Sequence, residues 1–122
     1  MDNCIFCKII NGDIPCYNMY ENEYVLAFLD INPDCDGHTL VIPKKHYRDL
    51  NDIDLETLNK IFEAVKLLIS ELVDKLNCDG FTLVQNNGDI QEVKHFHLHI
   101  KPYYNKKRKV IKAEETYKML KD

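Results

Sequence analysis

Three histidines alternate with apolar residues in the segment His-Phe-His-Leu-His-Ile-Lys, which occupies residues 95–101. Side chains at alternate positions of a β-strand share one face, so His95, His97 and His99 are expected to form a row about 13 Å long. A small phosphorylated ligand has a comparable length. Because polar side chains in such a row need partners, the pattern indicates a ligand, a metal or a catalytic task.

Two kinds of chemistry use a row of imidazoles. In the first, the three histidines hold one hydrolytic metal ion. In the second, one imidazole attacks a phosphorus atom while its neighbours supply protons or positive charge. His97 is then the preferred nucleophile, because an imidazole flanks it on each side. The negative charge of the phosphoryl oxygens would be met by His99, His38, Asn86 and Gln91.

A Cys-x-x-Cys pair, Cys4 and Cys7, lies close to the start of the sequence. By itself this spacing fits a zinc half-site, a redox pair or two small core residues. His46 and one histidine of the row would complete a Cys₂His₂ zinc site. If His95 is the fourth ligand, zinc joins the N-terminal segment to the start of the histidine strand. The other two histidines of the row are then left for catalysis.

Hydrophobic periodicity predicts the elements that position these residues. Asp54 is a predicted N-cap, and apolar residues at helical spacing continue from Leu55 to Leu76, where a turn sequence stops the helix. Alternating or β-rich segments predict four further strands, at residues 17–21, 24–29, 38–43 and 81–85. Shorter helices are predicted at residues 4–10 and 111–120. Asp30 follows the second of these strands, where its carboxylate either bonds a ligand hydroxyl or caps its own turn.

The composition fits one domain, residues 1–122, of which the tail 105–122 is the least defined part. The 16 Lys and Arg against 20 Asp and Glu give a net charge of −4, which predicts neither nucleic acid nor a membrane surface as a partner. The sequence shows no apolar run of the ~18 to 20 residues that span a bilayer, and no export signal. From these two features we expect a cytoplasmic protein, and from the odd number of cysteines, five, we expect reduced thiols.

The histidine segment resembles the signature of the histidine triad (HIT) family of nucleotide hydrolases and transferases, in which histidines alternate with apolar residues. Residues 4–10, 28–31, 37–46 and 85–88 also resemble parts of that family. The resemblance implies an α+β fold, with a five-stranded antiparallel sheet, one long helix and short terminal helices, paired into a homodimer. Members with the Cys-x-x-Cys opening resemble zinc-binding bacterial-type proteins. In these, structural Zn²⁺ is held by the equivalents of Cys4, Cys7, His46 and His95.

The resemblance also implies an activity, the hydrolysis of nucleoside monophosphate derivatives of the purine nucleoside phosphoramidate type through a nucleotidyl-histidine intermediate. By this likeness His97 is the nucleophile, while His38, His95 and His99 form the phosphate network. The other implied nucleotide contacts are polar contacts to Asn86 and Gln91, a ribose contact to Asp30, and a base pocket of Phe6, Ile9, Ile14, Phe28 and Ile31.

Three residues depart from the pattern of that family. Lys101 replaces the last apolar residue of the histidine motif, Glu92 stands where serine is common near the phosphate, and Tyr103 replaces a frequent arginine. The loop 88–95 is also shorter than usual. A carboxylate near a phosphate is repulsive unless it points away. Two alternatives therefore stay open: a dinucleoside polyphosphate hydrolase, and a nucleotide-binding or zinc-stabilised interaction protein with little activity.

Overall fold

Five strands form one antiparallel sheet in the computed structural model, which describes residues 3–121. Met1, Asp2 and Asp122 of the predicted single domain lie outside the described residues. The strands are β1 (Asn18–Glu21), β2 (Val25–Leu29), β3 (Thr39–Pro43), β4 (Gly80–Val84) and β5 (Leu98–Tyr103), in the spatial order β1-β2-β3-β5-β4. Three helices accompany them: α1 (Ile5–Ile10), α2 (Leu55–Leu76) and α3 (Ala113–Lys121). The predicted α+β fold is confirmed.

The long helix α2 has the ends that the sequence predicts. The Asp54 side chain accepts a hydrogen bond from the backbone N–H of Thr57 at 2.9 Å, which satisfies one of the free donors of the first turn. Asn77 ends the helix in the left-handed conformation, with a φ of 52°. The apolar stripe of α2 is buried against the sheet through Ile61, Val65, Leu68 and Leu72. This packing leaves the opposite face of the sheet for the site.

Alternation along the strands divides the core into two clusters. Residues of one parity, among them Val25, Ala27 and Val41, pack with α2. Residues of the other parity form the second cluster with Phe6 of α1, and these are Leu26, Phe28, Leu40 and Ile42. His99 pairs with Leu40 across the β3–β5 ladder, so it lies on the α1 face of the sheet.

The histidine strand begins later than residues 95–101 predict, because the ladder of β5 covers Leu98–Tyr103. The N–H of Phe96 donates to the carbonyl of Tyr47, at 2.6 Å, in the loop after β3. Pairing with β3 begins at Leu98. Pro102 pairs with β4 only, because it lies beyond the last residue of β5 that pairs with β3. The alternation of buried and histidine side chains nevertheless extends upstream of the ladder.

The C-terminal segment adds to the core through α3. Ala113, Thr116 and Leu120 are buried, and Ala113 and Leu120 join the α2 cluster. The predicted closing helix, at residues 111–120, is thus present as α3 with slightly later ends. Across residues 3–121, no helix is long and apolar enough to cross a membrane.

Candidate active site and metal centre

Two cysteines and two histidines meet where α1, the loop after β3 and the segment before β5 converge. The Cys4 Sγ atom is 3.4 Å from His95 Nδ1, and the Cys7 Sγ atom is 3.3 Å from His46 Nδ1. The two Nδ1 atoms of His46 and His95 are 3.1 Å apart. In a tetrahedral zinc site with ordinary Zn–S and Zn–N bonds, neighbouring ligand atoms lie roughly 3.3–3.8 Å apart. The four side chains therefore have the composition and spacing of a closed zinc site.

The surroundings of these side chains also suit a cation. His95 is fully buried, and its Nε2–H donates to the carbonyl of Pro43 at 2.9 Å, which leaves the Nδ1 lone pair facing the cysteines. Burial lowers the pKa of His95 to about 4, so the ring is neutral at pH 7. Burial and the adjacent Cys4 raise the pKa of Cys7 to about 11. A bound divalent cation would have the opposite effect, because its positive charge stabilises the thiolate forms of both cysteines.

His97 is buried, and its backbone neighbourhood fixes its tautomer. Its Nδ1–H donates to the carbonyl of His95 at 2.8 Å. The neutral ring carries a single N–H, so the lone pair is on Nε2. The edge-to-face contact with Phe6, with ring centroids 5.1 Å apart, holds the ring plane. In its neutral form His97 thus presents an oriented Nε2 lone pair, which is what a nucleophile requires.

Two successive hydrogen bonds set the tautomers of His38 and His99. The backbone N–H of Asp34 donates to His38 Nδ1 at 3.1 Å, so the proton of His38 is on Nε2. That Nε2–H donates to His99 Nδ1 at 2.9 Å, which puts the proton of His99 on its own Nε2. Burial lowers the pKa of His38, and it lowers the pKa of His99 to about 4. Both rings are therefore neutral at pH 7, and His99 Nε2–H is a hydrogen-bond donor.

Two adjoining cavities lie beside these histidines. A polar cavity of about 450 Å³ is lined by His38, His97, His99, Asn86 and Asp30 among others. An apolar cleft of about 130 Å³ contains all the side chains predicted for a base pocket, which are Phe6, Ile9, Ile14, Phe28 and Ile31. Asp30 lines both cavities. An elongated ligand with an apolar end and a polar end fits this arrangement.

Asp30 caps its own turn, which is one of the two roles that the sequence left open. Its Oδ1 caps the following turn by accepting the N–H of Asn32 at 2.9 Å. Its Oδ2 lies 3.6 Å from His38 Nε2 and at the junction of the two cavities. One carboxylate oxygen therefore holds the turn, while the other lies beside His38, and the residue lines both cavities.

Comparison with known proteins identifies the family. The HIT domain family matches residues 11–106. The chain belongs to this family. An uncharacterized HIT-like protein of Methanocaldococcus jannaschii is 50% identical over 115 residues, which cover 93% of this chain and 88% of that protein. An adenosine 5'-monophosphoramidase of Saccharomyces cerevisiae is 42% identical over 118 residues, which cover 93% of this chain and 72% of that protein.

Solved structures of HIT proteins have the same fold. A zinc-bound histidine triad family protein from Mycobacterium smegmatis superposes with a TM-score of 0.88 at 36% identity. The match covers 98% of this chain and 91% of that chain. The resemblance inferred from the sequence, including the zinc-binding branch of the HIT family, is confirmed by these comparisons.

The position of Gln91 in this HIT protein differs from the predicted phosphate contact. Gln91 is buried, its amide group donates to the carbonyl of Arg48 at 2.7 Å, and its Oε1 accepts the N–H of Gly88 at 3.0 Å. The side chain thus stabilises the short loop and is absent from the polar cavity that the structure describes. Its neighbour Glu92 lines that cavity instead.

Four charged or polar residues that line the polar cavity of this HIT protein were not among the predicted site residues. They are Asn32, Asp34, Glu92 and Lys101. A signal existed for two of them, since Glu92 and Lys101 depart from the HIT pattern. Period-two alternation also places Lys101 on the face of His99. Asp34 carried no local signal, because its contact with the histidines is made by a backbone N–H of a loop.

Proposed function

We propose that the protein hydrolyses nucleoside monophosphate derivatives, of the purine nucleoside phosphoramidate type, through a nucleotidyl intermediate on His97. The observation that carries this proposal is the tautomer of His97, whose Nδ1–H donates to the carbonyl of His95 at 2.8 Å. Its free Nε2 lone pair belongs to a residue that lines the polar cavity. The monophosphoramidase activity in the name of the yeast relative supports the same reaction class.

The two cavities suggest how such a substrate lies. The purine would occupy the apolar cleft between Phe6, Phe28 and Ile31. Asp30, at the junction, would accept hydrogen bonds from the ribose hydroxyls. The α-phosphate would then reach His97 and His99. This order of base, ribose and phosphate follows from Asp30, the residue that lines both cavities.

The proposed reaction has two displacements at phosphorus. His97 Nε2 attacks, and the bond from phosphorus to the leaving nitrogen breaks as the amine departs with a proton taken up from solvent. Donors from His99 and Asn86 would stabilise the charge on the phosphoryl oxygens. Water then attacks phosphorus, the bond from phosphorus to His97 Nε2 breaks, and the proton of the attacking water returns to solvent. This step releases the nucleoside monophosphate and restores the neutral imidazole.

We further propose that Cys4, Cys7, His46 and His95 hold structural zinc. When bound, the ion would fix α1 and the loop after β3 to the segment before β5. His95 would then couple the metal centre to the nucleophile, because its carbonyl accepts the Nδ1–H of His97. Both ring nitrogens of His95 face partners other than His97 and His99, which disfavours one hydrolytic metal shared by the three histidines.

A homodimer is also proposed, in the cytoplasm, where the five free cysteines would stay reduced. Large apolar side chains are exposed on α2 and on the edge strand β4, among them Phe62, Leu67, Phe81 and Leu83. Contact between two copies would cover them. Light scattering should give about twice the 14.4 kDa mass of the chain, and a monomer would remove this part of the proposal.

The charge of the polar cavity bears on the alternative substrate class. Three carboxylates, from Asp30, Asp34 and Glu92, line it together with one cationic side chain, Lys101. This excess of negative charge disfavours the additional phosphates of a dinucleoside polyphosphate. A phosphoramidate, which carries less negative charge beyond the α-phosphate, is the better match.

The test combines turnover with trapping of the intermediate. A fluorogenic adenosine phosphoramidate and a dinucleoside polyphosphate are each incubated with the wild type and with His97→Ala. We expect faster turnover of the phosphoramidate and an acid-sensitive nucleotidylated protein that His97→Ala lacks. Full turnover by a folded His97→Ala would refute covalent catalysis. A folded wild type that binds adenosine monophosphate without turnover or adduct would support the binding-protein alternative.

A further inference from the structure

Lys101 extends the row of His97 and His99 by one residue of the same parity on the α1 face of the sheet. It lines the polar cavity, at the position where the family motif has an apolar residue. Its Nζ donates to Asp34 Oδ2 at 2.8 Å, and the two side chains are 29% and 64% exposed. A cation therefore stands beside the histidines of this chain, already paired with a loop carboxylate.

Asp34 connects this ion pair to the histidines. It lies in the loop between β2 and β3, and its backbone N–H donates to His38 Nδ1 at 3.1 Å. The hydrogen bond from Lys101 lowers the pKa of the Asp34 carboxyl, so this group is a carboxylate at pH 7. Asp34 thus makes two contacts at once: its side chain is held by β5, and its main chain sets the protonated nitrogen of His38.

We propose that the Lys101–Asp34 ion pair is a positioning pair that fixes the tautomers of His38 and His99. The link is the sequence of three hydrogen bonds from Lys101 Nζ to Asp34, from the Asp34 N–H to His38 Nδ1, and from His38 Nε2–H to His99 Nδ1. Without the first bond, the loop is free to rotate the peptide N–H away from His38. The His38 proton can then move to Nδ1, and the orientation of the His99 proton is lost.

The tautomers themselves give a readout that is independent of catalysis. Long-range ¹H–¹⁵N correlation NMR on the intact chain distinguishes a protonated Nε2 from a protonated Nδ1 on each histidine ring. We expect one tautomer, with protonated Nε2, on both His38 and His99 in the wild type. Lys101→Met should give a mixture on both rings, whereas Lys101→Arg should restore the wild-type pattern because it keeps the ion pair.

The chain offers a matched control in the pair of Lys44 and Glu21. Their N–O distance is 2.7 Å, their side chains are 27% and 47% exposed, and neither residue lines the polar cavity. Lys44→Met should leave the tautomers and the turnover unchanged. Lys44→Met therefore shows what the loss of any partly exposed ion pair does. A larger effect of Lys101→Met is then specific to the Lys101–Asp34 pair.

The effect on turnover rests on the proposed phosphoramidase activity. A partly exposed ion pair favours one conformation over its alternatives by a population ratio of up to about five. We therefore expect kcat for the adenosine phosphoramidate to fall about threefold to fivefold in Lys101→Met, with KM little changed. Lys101→Arg should recover most of this loss. A mutant with altered tautomers and lower kcat supports the positioning role.

Two results would overturn it. Unchanged tautomers on His38 and His99 in Lys101→Met would show that the ion pair is only a surface contact. A raised KM with unchanged tautomers would show that Lys101 contacts the substrate directly. A wild type that turns over neither substrate would refute the proposed function alone, since the NMR comparison of the free proteins still decides the tautomer proposal.

Discussion

Gly37 precedes His38 with a backbone φ of +89°, a conformation that L side chains rarely adopt. A Cβ at this position would lie 2.7 Å from Leu76 Cδ1 and 3.2 Å from Pro102 Cγ. Carbon atoms in favourable contact are about 3.5–4.0 Å apart, so both neighbours would have to shift. Leu76 and Pro102 are buried in α2 and β5, where such shifts meet close packing. Gly37→Ala therefore combines backbone strain with overpacking.

The two contributions can be estimated separately. A left-handed conformation costs a residue with a Cβ roughly 1–2 kcal/mol. Overpacking of a core by a methyl group costs roughly 1–3 kcal/mol. We expect Gly37→Ala to lower the free energy of unfolding by about 2–5 kcal/mol. Gly12 isolates the first contribution, because its φ is +84° and a Cβ there would meet nothing within 4 Å. Gly12→Ala should cost about 1–2 kcal/mol.

Urea unfolding of both variants and the wild type measures these losses. The difference between the variants is the packing contribution, about 1–3 kcal/mol. Equal losses would refute the reasoning, since they would show that the loop moves the new methyl group away from Leu76. Under conditions in which both variants are folded, kcat for the phosphoramidate should fall in Gly37→Ala and stay unchanged in Gly12→Ala, because Gly37 directly precedes His38.

Zinc content, acid stability and substrate charge are further properties that single substitutions test. Elemental analysis should find that Cys7→Ser has lost bound zinc. Cys16→Ser, outside the four-residue cluster, should keep it. Zinc retained by Cys7→Ser would contradict the assigned site. Burial lowers the pKa of His99 to about 4 from an ordinary 6.5, so the unfolded chain binds more protons between these values. The free energy of unfolding should therefore fall as the pH falls through this window, and His99→Gln should flatten the fall in urea titrations; an unchanged slope would exclude His99 as a cause. Glu92→Ser removes a carboxylate from the polar cavity, so it should raise kcat/KM for a dinucleoside polyphosphate. We expect about threefold to tenfold relative to Glu114→Ser, a control on the exposed face of α3. Equal values for the two variants would show that Glu92 points away from the substrate.

Much of the fold is readable from local patterns because their causes are local. The ends of α2 follow from the Asp54 side chain and from the tolerance of Asn77 for the left-handed conformation. Its buried stripe follows from helical spacing. The start of β5 is different, because a strand needs a partner. The sequence shows alternation from His95 onwards, but the partner of Phe96 is the carbonyl of Tyr47 in a loop, which lies far away in sequence.

The site divides in the same way. The histidine row and the Cys-x-x-Cys pair are determined by residue type and spacing. The apolar residues of the cleft are those that the family resemblance implies, and the structure places them along one cleft. The role of Gln91 as a phosphate contact stays a prediction that the structure does not favour, since the side chain is held by backbone groups of the short loop. Loop conformation of this kind depends on long-range hydrogen bonds, which no local pattern encodes.

The sequence by itself determined the parity of the strands, the caps of the long helix and the set of imidazole and thiol groups available for chemistry. Only the tertiary structure decided the protonated nitrogen on His38, His97 and His99, because each tautomer depends on a backbone group brought from elsewhere or turned by the fold. It also decided that Lys101 meets Asp34 across 67 positions of sequence. Residue types supply the groups that can react, and the folded backbone selects which nitrogen of each group is free to do so.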